Sequence, residues 1–182
     1  MQNIKFNHEL CHIVEEESDK CIGCKLCMRG CPMLDHFTEN PKKLLNDLRS
    51  KLEFSSNMPY SCMLCGYCEE VCPKDVSFKD LFFKMRQQYI SINGGNIKSD
   101  VKAVPANFHQ DLSFTKIFKS PISHLNSDII FFPGCAFLAD NPSLVEKTYD
   151  YLKEIFPGIG FWNSCCGKPT NFLGREDKFQ ER

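Results

Sequence analysis

The sequence lacks the features of a membrane-spanning, secreted or nucleic-acid-binding chain. Its longest apolar run, residues 129–139, is too short to cross a bilayer and is interrupted by Pro133 and Gly134. Residues 1–10 contain no apolar signal-peptide core, which predicts a cytoplasmic location and a reducing environment. Lys and Arg number 22 against 23 Asp and Glu, so no net positive charge attracts nucleic acid. Dinucleotide fingerprints, phosphate-binding glycine loops and a Ser-His-Asp order are also missing.

Cysteine is the residue in excess, at 12 of 182 positions. A reducing compartment disfavours disulfides, and cysteines at every third position lie too close together to form a framework of cross-links. Eight of them form two runs with the spacing C-x2-C-x2-C-x3-C-P, and the second run lies 41 residues after the first. The runs are Cys21, Cys24, Cys27, Cys31 and Pro32, and Cys62, Cys65, Cys68, Cys72 and Pro73.

This spacing is typical of ligation of two [4Fe-4S] clusters, in which the fourth cysteine of each run binds the other cluster. We therefore predict crossed ligation. The first cluster is assigned to Cys21, Cys24, Cys27 and Cys72, and the second to Cys62, Cys65, Cys68 and Cys31. Structural zinc is the alternative, but zinc prefers a closed tetrahedron of four thiolates and does not require a third cysteine at the same short step.

Two amphipathic helices are predicted beside these runs. Asn40 and Pro41 form the start of the first helix, and Ser77 begins the second, which ends at Gly94 and Gly95. The apolar stripes are Leu44, Leu45, Leu48 and Leu52 in the first, and Phe78, Leu81, Phe82, Met85 and Tyr89 in the second. We expect the two helices to pack on each other over the clusters and to exclude water from the sulfur atoms.

Residues 10–92 resemble the alpha-helical ferredoxin domain of heterodisulfide reductases and of the iron-sulfur subunits of several flavin dehydrogenases. The resemblance rests on CIGCKLCMRGCP at residues 21–32 and CMLCGYCEEVCP at residues 62–73. A helical spacer separates the motifs, where compact bacterial ferredoxins have a shorter interval. The resemblance implies a mainly α N-terminal domain over residues 1–92.

The second half has a different pattern. Residues 93–126 are polar and irregular, and we interpret them as a linker before a second domain at residues 127–182. Residues 128–132 predict a short, fully buried strand, Asn141 and Pro142 begin a helix, and residues 159–162 predict another strand. The order predicts a right-handed parallel α/β unit. Cys135, Cys165 and Cys166 follow the two strands, at the sheet edge where such folds bind ligands.

The Pro-Gly-Cys and Cys-Cys-Gly segments resemble the first half of the cysteine-rich CCG domain. This domain occurs in the heterodisulfide reductase catalytic subunit and in the iron-sulfur subunits of anaerobic glycerol-3-phosphate, glycolate and lactate dehydrogenases. There the unit continues to a later C-x2-C, whereas this sequence stops at Arg182. We expect an incomplete CCG domain whose cysteines 135, 165 and 166 belong to a further noncubane iron-sulfur site. Buried thiols without a metal are the alternative.

These resemblances imply an electron-transfer protein that relays electrons one at a time between a flavin dehydrogenase partner and a quinone or disulfide acceptor. One alternative is a catalytic disulfide reductase subunit that uses the CCG cysteines. Another is an iron-sulfur sensor or a zinc-binding interaction module. We interpret the chain as a subunit or fragment of an oxidoreductase, with any membrane contact made through a partner subunit.

Overall fold

The computed structural model describes residues 2–115, 123–124 and 126–182. The described chain is mainly helical with two small sheets, and it divides into two compact units. The first unit contains the described residues up to Asn107 together with Pro169–Glu181, and the second contains Phe108–Lys168 with Arg182. This division differs from the predicted domains at residues 1–92 and 127–182. No helix in the described ranges is long and apolar enough to span a membrane.

The helices and strands of the described chain are short. In chain order they are β1 (Asn3–Lys5), α1 (His8–Lys20), α2 (Pro32–Phe37), α3 (Pro41–Lys51), β2 (Glu53–Ser55), α4 (Tyr67–Glu70), α5 (Phe78–Ile92), α6 (Val104–Ser113), β3 (Ser123–His124), β4 (Ile130–Phe131), α7 (Cys135–Asp140), α8 (Pro142–Ile155), β5 (Gly160–Trp162), α9 (Lys168–Phe172) and α10 (Glu176–Gln180). Single 3-10 turns form at Leu26–Met28 and Pro59–Ser61. Strands β1 and β2 pair antiparallel, with Ile4 opposite Phe54.

The two helices predicted in the first half are present as α3 and α5, and both begin at the predicted caps. The backbone N–H of Lys42 donates to Asn40 Oδ1 at 2.9 Å, and that of Asp80 donates to Ser77 Oγ at 2.9 Å. These side chains satisfy donors that a helix start leaves without an intrahelical partner. The predicted stripe of α3 is wrong at Leu52, which follows the helix with a φ of 52° and is 45% exposed.

Helix α1, which was not predicted from the sequence, takes part in the packing of both predicted helices. Helix α1 packs against both α3 and α5, whereas a direct α3–α5 contact is not among the principal contacts of the described chain. Leu10 and Val14, one turn apart on α1, are fully buried between these neighbours. Their i, i+4 spacing was a visible signal, but the two acidic and polar turns that follow weaken the apolar periodicity.

The core of the first unit lies directly beside the cysteine loops. Its fully buried side chains include Leu45, Leu81, Phe82, Met85 and Tyr89. Buried cysteines belong to the same continuous cluster of apolar contacts, namely Cys21, Cys27 and Cys68. The loops are therefore held by core packing as well as by their own turns.

The second unit contains the predicted strand–helix–strand order. Strands β4 and β5 are parallel, with Ile130 opposite Gly160, and α7 and α8 connect them. The backbone N–H of Leu144 donates to Asn141 Oδ1 at 3.1 Å, which confirms the predicted start of α8. Strand β3 adds to the other side of β5 in antiparallel orientation, so the described sheet has the order β3-β5-β4.

Residues 93–168 differ from the expectations in two respects, the predicted linker and the burial of the first strand. Helix α6 and strand β3 lie within the segment interpreted as a linker, of which residues 116–122 and 125 lie outside the described ranges. The buried residue of α6 is Gln110, so hydrophobic periodicity could not indicate this helix. Strand β4 is an edge strand rather than a fully buried one, and Ile130 is 42% exposed.

Replacing Leu45 tests the central position of α3 in the core. Leu45→Ala is expected to lower the free energy of unfolding by about 2–5 kcal/mol, because it removes a fully buried side chain and leaves a cavity. Leu52→Ala is the matched control and should cost less than ~1 kcal/mol at its half-exposed position. Anaerobic denaturant unfolding followed by far-UV circular dichroism measures both. Equal losses would contradict the packing described for α3.

Candidate metal centres

The two cysteine runs fold into the same loop twice. Gly23 and Leu64, which precede the second cysteine of each run, have φ values of 72° and 56°. Lys25 and Gly66, which follow that cysteine, have φ values of 65° and 81°. A helical turn comes next in both runs, at Leu26–Met28 and in α4. The repeat in the sequence is therefore also a repeat of the backbone.

Left-handed residues bring the cysteines of each loop toward a common space. A non-glycine residue in this conformation costs roughly 1–2 kcal/mol, and each loop places glycine at a different one of its two left-handed positions. Gly23 also lies close to its surroundings, since a Cβ there would be 3.1 Å from Asn40 Oδ1. The helix cap of α3 is thus packed against the first loop.

Backbone N–H groups point at the sulfur atoms of both runs. Leu64 N–H donates to Cys62 Sγ at 3.4 Å, and Val76 N–H donates to Cys72 Sγ at 3.4 Å. Leu34 N–H, in the first turn of α2, donates to Cys31 Sγ at 3.5 Å. Hydrogen bonds to sulfur favour the thiolate, which is the form that binds iron, and they tune the potential of a bound cluster.

Burial opposes ionisation of the same thiols. Desolvation raises the pKa of the thiols of Cys21, Cys62 and Cys68, and it raises the pKa of Cys27 to about 12. The backbone N–H groups of Phe78 and Lys79 partly offset this for Cys68 by lowering its pKa. Without iron these thiols are protonated at neutral pH, so iron binding must release protons.

The eight cysteines line two neighbouring cavities in the first unit. The walls of the first include Cys21, Cys24, Cys27 and Cys72. The walls of the second, which has a volume of about 360 Å³, include Cys31, Cys62, Cys65 and Cys68. Each cavity therefore combines three cysteines of one run with the fourth of the other. Cys68 also reaches the wall of the first cavity, so the two spaces are adjacent.

Both cavities have apolar walls and one exposed edge. Val76 and Phe78 line the first, and Met33 and Phe82 line the second. Cys24 and Cys65 are exposed, unlike the buried Cys21, Cys27 and Cys68. The residues after the first cysteine of each run, Ile22 and Met63, are 61% and 84% exposed. The structure thus surrounds the sulfur atoms with apolar groups on most sides and leaves each loop accessible on one.

The donor set fits a cubane cluster. Within the described ranges, no group of three or more His, Cys, Asp or Glu side chains converges as ligands of a single metal ion do. A [4Fe-4S] cluster has a different requirement, because each thiolate binds a separate iron atom and the ligands surround a cavity. Four thiols around each cavity, with backbone donors at several sulfur atoms, meet that requirement.

The second unit brings Cys135, Cys165 and Cys166 together. Cys135 begins α7, and its thiol lies near that of Cys165. Desolvation, with the neighbouring Cys165 and Cys166, raises the pKa of Cys135. The side-chain amide of Gln110 lies 3.9 Å from Cys165 Sγ, and Gly167 N–H donates to the same sulfur at 3.4 Å. Sequence reasoning missed Gln110, since no spacing relates α6 to these cysteines.

The remaining cysteine is separate from these groups. Cys11 lies half-buried on α1 and lines neither of the two cavities. Cys11 is therefore not among the proposed ligands of the two clusters.

Comparison with known families defines the class of this domain. Residues 17–76 match the 4Fe-4S dicluster domain family, and this range contains both cysteine runs. The cofactors of the domain are two [4Fe-4S] clusters. Together with the arrangement of the thiols, the match indicates an electron-transfer iron-sulfur protein.

Two curated relatives share this part of the chain at low identity. The chain is 36% identical over 67 residues to NADH-quinone oxidoreductase subunit I 2 of Aquifex aeolicus (strain VF5). The aligned segment covers 37% of this chain and 32% of that protein. The chain is also 29% identical over 84 residues to Lactate utilization protein B of Bacillus thuringiensis (strain Al Hakam). This aligned segment covers 41% of this chain and 18% of that protein. The chain thus spans a third or less of the length of these relatives. No solved structure matches it.

Replacing Gly23 tests whether the first loop needs both its left-handed backbone and its close packing. Gly23→Ala is expected to reduce the iron retained by the protein and to speed cluster loss, because the added Cβ would contact Asn40. Gly94→Ala is the matched control, since Gly94 is also left-handed, with a φ of 63°, but has open space around the added Cβ. Iron content and the decay of visible absorbance measure the difference. Identical behaviour of the two variants would show that packing at Gly23 is unimportant.

Proposed function

We propose that the chain is an electron-relay subunit of an oxidoreductase. It takes electrons from a flavoprotein dehydrogenase partner and passes them one at a time toward a quinone or a disulfide acceptor. The observation that carries this proposal is the grouping of eight thiols around two adjacent cavities that share Cys68. Similarity to a subunit of an NADH-quinone oxidoreductase and to a lactate utilization protein supports a role in such a complex.

The proposed ligands are crossed between the two runs. Cys21, Cys24, Cys27 and Cys72 hold the first cluster, and Cys62, Cys65, Cys68 and Cys31 hold the second. When bound, each cluster supplies a one-electron redox couple. The chain itself supplies position and surroundings: backbone N–H groups stabilise the thiolates, and apolar walls exclude water.

The exposed edge of each loop provides a route for electrons. Ile22 and Met63 occupy equivalent positions in the repeat and face solvent. A redox partner that covers either residue would approach the adjacent cysteine loop without disturbing the buried thiols. Contact of the complex with a membrane is proposed to occur through partner subunits.

Catalytic disulfide reduction is a second candidate function. The proximity of Cys135 to Cys165, with Cys166 next to Cys165 in the chain, favours it, because cysteine thiolates are the ligands of iron-sulfur sites. Gln110 and the Gly167 N–H contact Cys165 and would orient that thiol. Under this proposal the two cubanes would supply electrons to the third site.

Serine variants of the fourth cysteines test the crossed ligation. The unmodified protein, assembled anaerobically, should contain about eight iron and eight sulfide per chain, as two [4Fe-4S] clusters require. Cys72→Ser is expected to damage the cluster held by Cys21, Cys24 and Cys27, and Cys31→Ser the cluster held by Cys62, Cys65 and Cys68. Electron paramagnetic resonance (EPR) of the reduced variants distinguishes the two clusters.

Cys11→Ser is the matched control, and it should leave both clusters intact because Cys11 lines neither cavity. Damage by Cys72→Ser confined to the second cluster would overturn the crossed assignment. Zinc without acid-labile sulfide in the unmodified protein would overturn the proposed function as a whole.

Cys165→Ser tests the further site proposed at Cys135, Cys165 and Cys166. This variant should keep the two cubanes and lose any iron that the unmodified protein binds beyond them, because Cys165 lies near Cys135 and lines neither cubane cavity. It should also abolish any reduction of a disulfide substrate by chemically reduced protein. Full disulfide reductase activity in the variant would contradict the second candidate function and leave the relay as the better description.

A further inference from the structure

Arg86 is a buried cation on α5, and no sequence pattern indicates its role. Only 6% of the residue is exposed. It lies between Met85 and Gln87, in a helix whose other buried positions are mostly apolar. A guanidinium group keeps its charge in proteins, and placing that charge inside a small core is costly unless the group is well bonded.

The guanidinium is bonded to backbone carbonyl groups. Its Nε and Nη2 atoms donate to Pro59 O at 3.0 and 2.9 Å, and Nη2 also donates to Cys62 O. Nη1 donates to Phe172 O. The ring of Tyr60 lies 5.1 Å from the guanidinium carbon. These contacts satisfy the donors without neutralising the positive charge.

No carboxylate in the described ranges forms an ion pair with Arg86, in contrast to two half-buried lysines of the same helix. Lys79 pairs with Glu69 at 2.6 Å, and Lys84 pairs with Glu9 at 2.8 Å. A paired charge in contact with water has a weak field at a distance, whereas an unpaired charge in a low-dielectric interior acts more strongly on its neighbours.

The second cysteine centre lies beside the positive charge of Arg86. Arg86 Nη2 donates to the backbone carbonyl of Cys62, which places the positive charge beside a ligand of that centre. Reduction of a bound cluster adds one negative charge, so a fixed cation beside a ligand stabilises the reduced form. The cations near the first centre include Lys42, which is half-buried, and Lys74, which is exposed, and water screens both charges better.

We propose that Arg86 is a positioning residue of the second centre that raises the reduction potential of the cluster held by Cys31, Cys62, Cys65 and Cys68. The inference rests on the proposed function, because it requires that cluster to be bound there. A higher potential of the second cluster would favour an electron on that cluster over one on the first.

The last residue of α9 and the two residues that follow it lie against Arg86 and Tyr60. Phe172 O accepts from Arg86, and Leu173 O accepts from Tyr60 Oη at 3.0 Å. Gly174 lies against the Arg86 backbone, where an added Cβ would be 2.7 Å from its carbonyl carbon. This segment therefore closes the side of the guanidinium that Pro59 and Cys62 leave open.

Arg86→Gln tests the proposal in the full chain with its clusters assembled. An anaerobic redox titration followed by EPR gives separate midpoint potentials for the two clusters. We expect at least a tenfold lower reduction equilibrium constant for the second cluster, about 59 mV for one electron, and an unchanged first cluster. Lys84→Gln is the matched control, because it removes from the same helix a positive charge that is partly exposed and is paired with Glu9.

Arg86→Lys separates charge from structure. Lysine keeps the positive charge but cannot bridge three carbonyl groups, so this variant should lower the melting temperature and retain a potential close to that of the unmodified protein. A large negative shift in Arg86→Lys would overturn the proposal, and this variant decides the question if Arg86→Gln does not assemble its clusters.

The outcomes distinguish the inference from the proposed function. An unmodified protein that assembles no [4Fe-4S] clusters contradicts the proposed function. An Arg86→Gln variant with both clusters intact and unchanged potentials contradicts the inference alone. Equal shifts of both clusters, or an equal shift in Lys84→Gln, would also show that Arg86 does not act specifically on the second centre.

Discussion

The first unit depends on one constraint: eight thiols must face two adjacent spaces, although they belong to only two short runs of chain. The backbone meets this constraint by turning left-handed twice in each run, at Gly23 and Lys25 and again at Leu64 and Gly66. These turns cost conformational energy where the residue is not glycine. The cost is offset by packing, because Leu64 and the buried cysteines belong to the same core as α1, α3 and α5.

Burial and hydrogen bonding act in opposite directions on the thiols. Apolar surroundings protect bound sulfur from water, but they also raise the pKa of Cys27 and Cys68 and so disfavour the thiolate. Backbone N–H groups at the ends of turns and at the start of α5 point at the sulfur atoms, and they partly offset this rise in the pKa of the thiols. Iron supplies the rest of the stabilisation, which couples the binding of the clusters to the deprotonation of their ligands. In this setting an unpaired buried charge such as Arg86 has a larger effect than the paired charges on the surface.

In the second unit, local sequence patterns predict the secondary structure around the cysteines but not how deeply it is buried. Its parallel strand pair and the cap of α8 follow from local patterns, and these elements bring Cys135 near Cys165. Much of its apolar surface stays exposed, including Ile130, Leu144 and Tyr151. The predicted buried strand was wrong for this reason: an apolar run indicates a strand, but burial depends on what covers it, and β4 has a neighbour on one side only in the described sheet.

Local sequence patterns are enough to predict the cofactor class, the caps at Asn40 and Ser77 and the repeat of the cysteine loops, because each depends on residues close together in the chain. The packing of α1 against α3 and α5, the contact of Gln110 with Cys165 and the contact of Phe172 with Arg86 depend on the tertiary fold. These contacts join residues that are far apart in sequence, and their polar partners have no periodicity that a pattern could indicate. A buried cation is recognised only when its surroundings are known, since the same arginine on an exposed face would have no special role.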